Sequence, residues 1–298
     1  MPERFAGWED SGLPPSTPGT VVTVGTFDGV HRGHWDVLSR IAARGKADGL
    51  ASVLVTFEPH PLEIVNPAAA PPLLTLAEEK VEVVAESGVD FMAIVPFTPQ
   101  LRAYSAAQFV DEVLRRRFHV RELVIGHDHG FGRGREGDVD VMRALGAARG
   151  FGVEVVAAVA TGDGRPISST LIRRAVAGGD LAHARAALGR LYSVSGVVRP
   201  GAGRGRTLGY PTINVPMPPP RKLLPPEGVY AVRVQTPAGA FGGMMNMGTR
   251  PTFNDPERSL EAHLVGARDT QRFPSPAALA EQLARDAQDA QRALTALG

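Results

Sequence analysis

The chain has 298 residues, with 32 Lys+Arg against 31 Asp+Glu, and its net charge of +1 excludes a strongly charged surface for nucleic acid or an anionic membrane. It has no cysteine, which excludes disulfides, thiolate metal sites and cysteine nucleophiles. The length favours two domains, no segment approaches the ~20 apolar residues of a membrane span, and the polar stretch Met1 to Gly19 lacks a signal peptide's apolar core, so a cytoplasmic protein is expected.

The first two-thirds alternate strand-like and helix-like stretches. The strands expected are Val21–Gly25, Ser52–Phe57, Asp90–Pro96, Glu122–Gly126 and Val153–Val159. A helix is expected over Trp35–Ala47. Thr75-Leu76-Ala77-Glu78 and Ser105-Ala106-Ala107-Gln108 fit capping boxes, Asp138 suits the cap of a helix reaching about Arg149, and Asp180–Arg190 reads as a short helix. This alternation predicts a parallel sheet covered by helices on both faces, with ligands beyond the carboxyl ends of the strands.

Four unusual segments follow those ends. Gly25-Thr26-Phe27-Asp28-Gly29-Val30-His31-Arg32-Gly33-His34 puts two of the chain's eight histidines three residues apart at a helix start. Residues at that spacing share a helix face, and the N–H groups of a helix start bind phosphate oxygens. The motif lacks the Gly-Lys-Ser/Thr of a P-loop and the spacing of a dinucleotide fingerprint. Ser168-Ser169-Thr170-Leu171-Ile172-Arg173 offers hydroxyls, a threonine suited to begin a helix, and an arginine one turn on, a clamp for polyphosphate. In Gly126–Gly137, Asp128 suits an N–H-bearing ring edge, although a flexible surface loop explains the same glycines. His60, between Pro59 and Pro61, is held rigidly, and a structural turn explains it nearly as well.

After Arg190 the texture changes. Tyr192–Val198, Tyr230–Val234, Met244–Met247 and Leu260–Val265 read as short strands between Gly/Pro-rich turns, including Pro216–Pro226, and predict a small antiparallel barrel. In Gly203-Arg204-Gly205-Arg206-Thr207-Leu208-Gly209-Tyr210-Pro211-Thr212-Ile213-Asn214 a basic loop leads into a strand. Alternation puts Thr212 and Asn214 on one face, roughly 6–7 Å apart, as oxygen ligands suited to Mg²⁺ with a nucleotide. A last helix is expected from Ser275-Pro276, with an apolar stripe for docking.

Together these segments resemble the bacterial bifunctional riboflavin kinase/FMN adenylyltransferase family, from about Val21 to Phe273. The resemblance implies an α/β fold: a Rossmann-like nucleotidyltransferase domain over 1–187, then a small antiparallel β-barrel kinase domain with a C-terminal helix over 188–298. It implies ATP, riboflavin and FMN as substrates, a divalent cation such as Mg²⁺, and no nucleic-acid or membrane partner; a weak homo-oligomer stays open. At the first site it implies catalytic roles for His31, His34 and Arg173. ATP would contact Gly25, Phe27, Asp28, Gly33, Ser168, Ser169 and Thr170, and flavin would contact His60, Asp128 and Phe131. At the second it implies ATP contacts by Gly203, Gly205, Arg206 and Gly209, metal contacts by Thr212 and Asn214, and Glu261 as catalytic carboxylate. Asn246-Met247-Gly248-Thr249-Arg250-Pro251-Thr252-Phe253 is similar to a further kinase signature.

One departure stands out. Leu264-Val265 runs straight into Gly266-Ala267-Arg268, where the family carries a further hairpin, so about 15–20 residues are expected to be missing near 265–268. This leaves two alternatives to the bifunctional enzyme: an adenylyltransferase with a degraded kinase module, and a non-catalytic flavin- or nucleotide-binding protein.

Overall fold

Alternation in the β-branched runs of the first half sends successive side chains to opposite faces of one sheet. A computed structural model describes residues 3–6, 13–127, 130, 132–162, 164–199, 212–250, 255–265 and 288. Two compact units divide the chain: Met1–Ser193 with Pro220–Leu224, and Val194–Pro219 with Pro225–Gly298. The segment 220–224, expected with the second domain, thus belongs to the first unit.

The first unit contains β1 (Glu3–Ala6), β2 (Thr20–Val24), α1 (Arg32–Asp48), β3 (Ala51–Glu58), α2 (Pro61–Val65), α3 (Ala77–Ala85) and β4 (Phe91–Pro96). It continues with α4 (Pro99–Ala103), α5 (Ala106–Phe109), β5 (Val120–Gly126), α6 (Val139–Arg149), β6 (Gly152–Val156), α7 (Ser169–Ala177) and α8 (Leu181–Leu188). All pairings of its sheet are parallel, in the order β1-β4-β3-β2-β5-β6. Val22, Val24, Val53, Val55, Ala93 and Ile125 pack on one face with Phe109, Val113 and Met142. Val21, Leu54, Met92 and Val124 pack on the other with Val37, Leu38 and Ile41 of α1 and Val84 of α3. The order reverses at β2, whose neighbours are β3 and β5, and ligands of such sheets bind at that reversal beyond the strand ends.

Several boundaries differ from expectation for local reasons. The edge strand β1 is not among the expected strands; four residues show no usable period. α1 starts three residues before Trp35, because His31 is its cap. Thr75 caps nothing: α3 starts after Leu76, whose N–H is accepted by Glu79 at 2.9 Å. Ser168, rather than Thr170, opens α7, its Oγ accepting from the Leu171 N–H at 3.3 Å. Ser105 and Gln108 do exchange both bonds of a capping box, and Asp138 caps α6.

In the second unit β7 (Thr212–Val215), β8 (Gly228–Thr236), β9 (Gly239–Arg250) and β10 (Asp255–Val265) form an antiparallel sheet in the order β7-β10-β9-β8. Met247, Leu260 and Ala262 are buried on one face of it. Tyr192–Val198 is not a strand; the nearest ladder contact is a bridge from Arg199 to Asn214. Of the helix expected from Ser275, residue 288 alone is among the described residues, and it is helical.

Candidate active sites

The loop between β2 and α1 is held in an unusual backbone shape. Phe27 and Val30 adopt φ of 46° and 39°, left-handed values that cost roughly 1–3 kcal/mol each in a residue with a Cβ. Gly29 between them has φ 82°, and a Cβ there would lie 2.7 Å from Leu74. Such a shape persists only where its surroundings dictate it, and here they do. The Thr26 carbonyl accepts from the Lys80 ammonium at 2.7 Å and the Thr56 hydroxyl at 3.1 Å. The Gly29 and Val30 carbonyls accept from the Arg190 guanidinium at 2.8 and 3.1 Å. The Gly29 N–H is donated to the Thr75 hydroxyl at 3.0 Å.

Asp28 ties this loop to two others. Its buried carboxylate accepts from the backbone N–H groups of Leu74 and Thr75 at 3.0 Å and from the Arg173 guanidinium at 2.6 Å. The Ser169 hydroxyl donates to the Asp28 carbonyl at 2.8 Å, and Arg173 also donates to the Pro72 carbonyl at 2.9 Å. The start of α7 therefore rests directly on the loop that leads into α1. Ser169 and Arg173 are brought to it, Ser168 caps its own helix through its oxygen with its O–H still able to donate, and Thr170 is exposed on the first turn of α7.

His31 and His34 cap α1 reciprocally. Each Nδ1 accepts the other residue's backbone N–H, at 3.3 Å for His31 and 3.4 Å for His34, and the rings stack with centroids 3.7 Å apart. An Nδ1 that accepts leaves the proton on Nε2, so two neutral imidazoles present Nε2–H donors together. Burial, reinforced by the neighbouring His31 and by the positive charges of Lys80 and Arg190, pushes the His34 pKa well below its ordinary value, which keeps it neutral. Phe27 packs its ring 4.6 Å from that of His34 and lies over Gly25. A Cβ at Gly33 would lie 3.3 Å from the His31 ring, so a side chain there would press on that imidazole.

His60 caps α2, its Nδ1 accepting from the Leu62 N–H at 3.1 Å, and desolvation lowers its pKa. His60 therefore has a structural task at the start of α2, where its own N–H is donated to the Glu63 carboxylate at 3.0 Å. Asp128 and Phe131 lie outside the described residues. Sequence reasoning passed over Thr75, Lys80, Arg190 and Lys222. For Lys80 a signal existed: it stands four residues before the fully buried Val84 on α3, a core position on an amphipathic helix. The others come from loops with no period.

In the second unit the strand register assembles what the sequence spread over 50 residues. Glu261 on β10 pairs with Asn214 on β7 and with Asn246 on β9, and His263 pairs with Thr212. Residues directly opposite share a face, so Thr212, Asn214, Asn246 and Glu261 line one side of the sheet. Gly203, Gly205, Arg206 and Gly209 lie outside the described residues, as do residues 251–254 of the Asn246–Phe253 segment.

The family model described as FAD synthetase matches residues 13–171, and that described as riboflavin kinase matches residues 188–294. The bifunctional riboflavin kinase/FMN adenylyltransferase of Escherichia coli K12 is 38% identical over 289 residues, covering 90% of each chain. The chain belongs to this family. The Pseudomonas fluorescens member is 40% identical over 254 residues, 85% of this chain and 80% of its own. A solved structure described as a macrolide-efflux protein from Streptococcus pneumoniae has a TM-score of 0.76 at 26% identity, over 93% of this chain and 95% of that one. Among the described residues no helix is long and apolar enough to cross a membrane. Family membership and the two units together make the α/β nucleotidyltransferase and kinase-type β architecture the fold of this chain.

Proposed function

We propose that this chain makes FAD in two steps, phosphorylating riboflavin to FMN and then adenylylating FMN, both with ATP. The observation that carries the second step is the His31–His34 pair at the start of α1, seated where the sheet order reverses. A phosphate monoester near pH 7 is largely dianionic, so its oxygen needs no general base to attack the α-phosphorus of ATP. The bond from that phosphorus to the bridging oxygen breaks, and pyrophosphate leaves with the electron pair. The protein's task is alignment and charge stabilisation. In this reading the Nε2–H donors of His31 and His34, with the amides opening α1, hold the triphosphate. Gly25, Phe27 and Gly33 shape the cradle, Asp28 orients Arg173, and Ser168–Thr170 with Arg173 close it from α7. His60, Asp128 and Phe131 are assigned to the flavin side.

For the first step, Glu261 takes the proton from the riboflavin hydroxyl as its oxygen attacks the γ-phosphorus, and ADP leaves. Gly203, Gly205, Arg206 and Gly209 would meet the nucleotide. The oxygen donors Thr212 and Asn214 fit a hard cation that keeps waters and phosphate ligands, and would hold Mg²⁺, whose charge offsets that of the phosphates. ATP as donor assigns the work to the cytoplasm.

A second reading has a specific observation behind it. The alignment with the E. coli protein runs over 289 positions yet takes in 90% of these 298 residues, so roughly 20 positions have no residue here. That number is close to the size of the hairpin expected to be missing near 265–268, and an adenylyltransferase with a weakened kinase is the reading that goes with it. Incubating the purified protein with Mg²⁺, ATP and either riboflavin or FMN, and separating the flavins, tests both. Conversion of riboflavin through FMN to FAD supports the two-step reading. Conversion of FMN alone supports the second, and no conversion of either refutes both.

A further inference from the structure

We propose that residues 221–223, which lie in sequence between β7 and β8, are a positioning element of the adenylyltransferase site, with Lys222 as its anchor. The inference rests on the assignment of that site to the loop 25–34.

The segment forms a short parallel bridge with Leu73. The Leu73 N–H is donated to the Arg221 carbonyl at 2.6 Å, and the Leu223 N–H to the Leu73 carbonyl at 2.8 Å. The Lys222 ammonium then reaches the Leu74 carbonyl at 2.7 Å, the Glu79 carboxylate at 2.6 Å and the Ser193 carbonyl at 2.9 Å. Its side chain is 0% exposed, and it lies 4.6 Å from the Tyr192 ring centroid. The Tyr192 hydroxyl donates to the Leu223 carbonyl at 2.7 Å.

The strip 73–75 has a second edge. Its Leu74 and Thr75 N–H groups hold the Asp28 carboxylate, and the Thr75 hydroxyl holds the Gly29 N–H. One side of this strip is thus fixed by residues 221–223, and the other fixes the residue that orients Arg173. Nothing else in the segment calls for a lysine. An apolar residue would fill the same volume beside Tyr192 at no cost of burying a charge. A lysine is what can grip three acceptors at once, and one of them belongs to the strip itself.

The positioning reading makes Lys222 act through Asp28. In the full-length chain, Lys222→Met should lower kcat for FAD formation from FMN by roughly 10- to 100-fold, the cost of a small misplacement, with little change in KM for FMN. Because this variant leaves Glu79 buried without its partner, Glu79→Gln/Lys222→Met is the decisive companion: it removes the charge pair whole and should show the same loss of kcat. In an Asp28→Asn background, Lys222→Met should cost less than about twofold more, since residues acting in one chain of contacts are not additive. Undiminished adenylylation in the double variant overturns the proposal, as does failure of that variant to fold or an equal loss with and without Asp28. A wild-type chain that forms no FAD from FMN overturns the assignment of the site as well.

Discussion

Asp28 and Arg173 are 145 residues apart in sequence and 2.6 Å apart in the fold. Their side chains are 2% and 15% exposed, so the pair sits in a poorly solvated place between the loop after β2 and the first turns of α7. The contact joins two segments that the sequence singled out separately as candidate phosphate sites. It also changes the assignment of Arg173, whose guanidinium is oriented by a carboxylate and the Pro72 carbonyl before any ligand arrives.

Asp28→Asn should therefore act on both stability and turnover. It removes the counter-charge of a largely buried arginine and turns an amide N–H₂ toward donors already present, a loss of about 3–5 kcal/mol. FAD formation should fall by roughly 100-fold, because Arg173 is no longer aimed. Chemical denaturation and steady-state assays read the two effects. An unchanged denaturation midpoint would show that the pair is dispensable to the fold.

The paired histidines allow capping and chemistry to be separated. Asparagine at an N-cap keeps an acceptor for the N3 amide, so His31→Asn should cost well under about 1 kcal/mol of stability. It removes the Nε2–H donor, and FAD formation should drop by roughly 100- to 1,000-fold, as for loss of one preorganised donor. Flavin binding, followed by fluorescence titration, should survive. Turnover at the wild-type rate would remove His31 from the phosphate site.

A pH dependence follows from His34. Its folded pKa lies well below the ordinary value of 6.5, because burial and neighbouring cations disfavour the imidazolium. The unfolded chain then binds a proton that the folded chain refuses as pH falls below about 6.5. Stability contributed above that pH is lost toward acid, with a limiting slope of about 1.4 kcal/mol per pH unit for one such group. Melting temperatures between pH 7.5 and 5.5 should decline, and His34→Asn should flatten the decline. An equal slope in the variant would assign the acid lability elsewhere.

What the sequence displayed was whatever repeats or caps. The strand–helix alternation located β2 to β6: β2, β3 and β4 are buried along most of their length and read as apolar runs, whereas β5 and β6 carry Arg121, Glu122 and Glu154 and were located by their place in the strand–helix order. The histidine motif was legible because two unusual residues fell at a helical spacing. Lys80, Arg190 and Lys222 were not, because a buried cation is recognised by its acceptors, and here those are carbonyls scattered over distant loops. Thr75 illustrates the same limit. Its spacing to Glu78 satisfies a capping box, yet its hydroxyl is committed to Gly29 and Asp28 across 46 and 47 residues, and long-range bonds prevailed over the local pattern. In the second half, Thr212 and Asn214 were legible by alternation, whereas the pairing of Asn214 with Glu261 depends on the register between strands far apart in sequence, which alternation does not specify.

That register carries the last prediction. Glu261 lies between Asn214 and Asn246 on the same face of the second-unit sheet. Glu261→Gln keeps the size and hydrogen-bonding capacity of the side chain but cannot act as a base. Formation of FMN from riboflavin should fall by roughly 100- to 10,000-fold, the range for a general base, while FAD formation from FMN continues at its wild-type rate. Because no step of adenylylation uses Glu261, loss of both reactions together would mean that the substitution disturbs more than the kinase strand. Retention of kinase activity would place the base elsewhere. If the wild-type chain itself lacks kinase activity, Glu261→Gln should change neither reaction, and restoring a hairpin after Val265 should bring back riboflavin phosphorylation only in chains that keep Glu261.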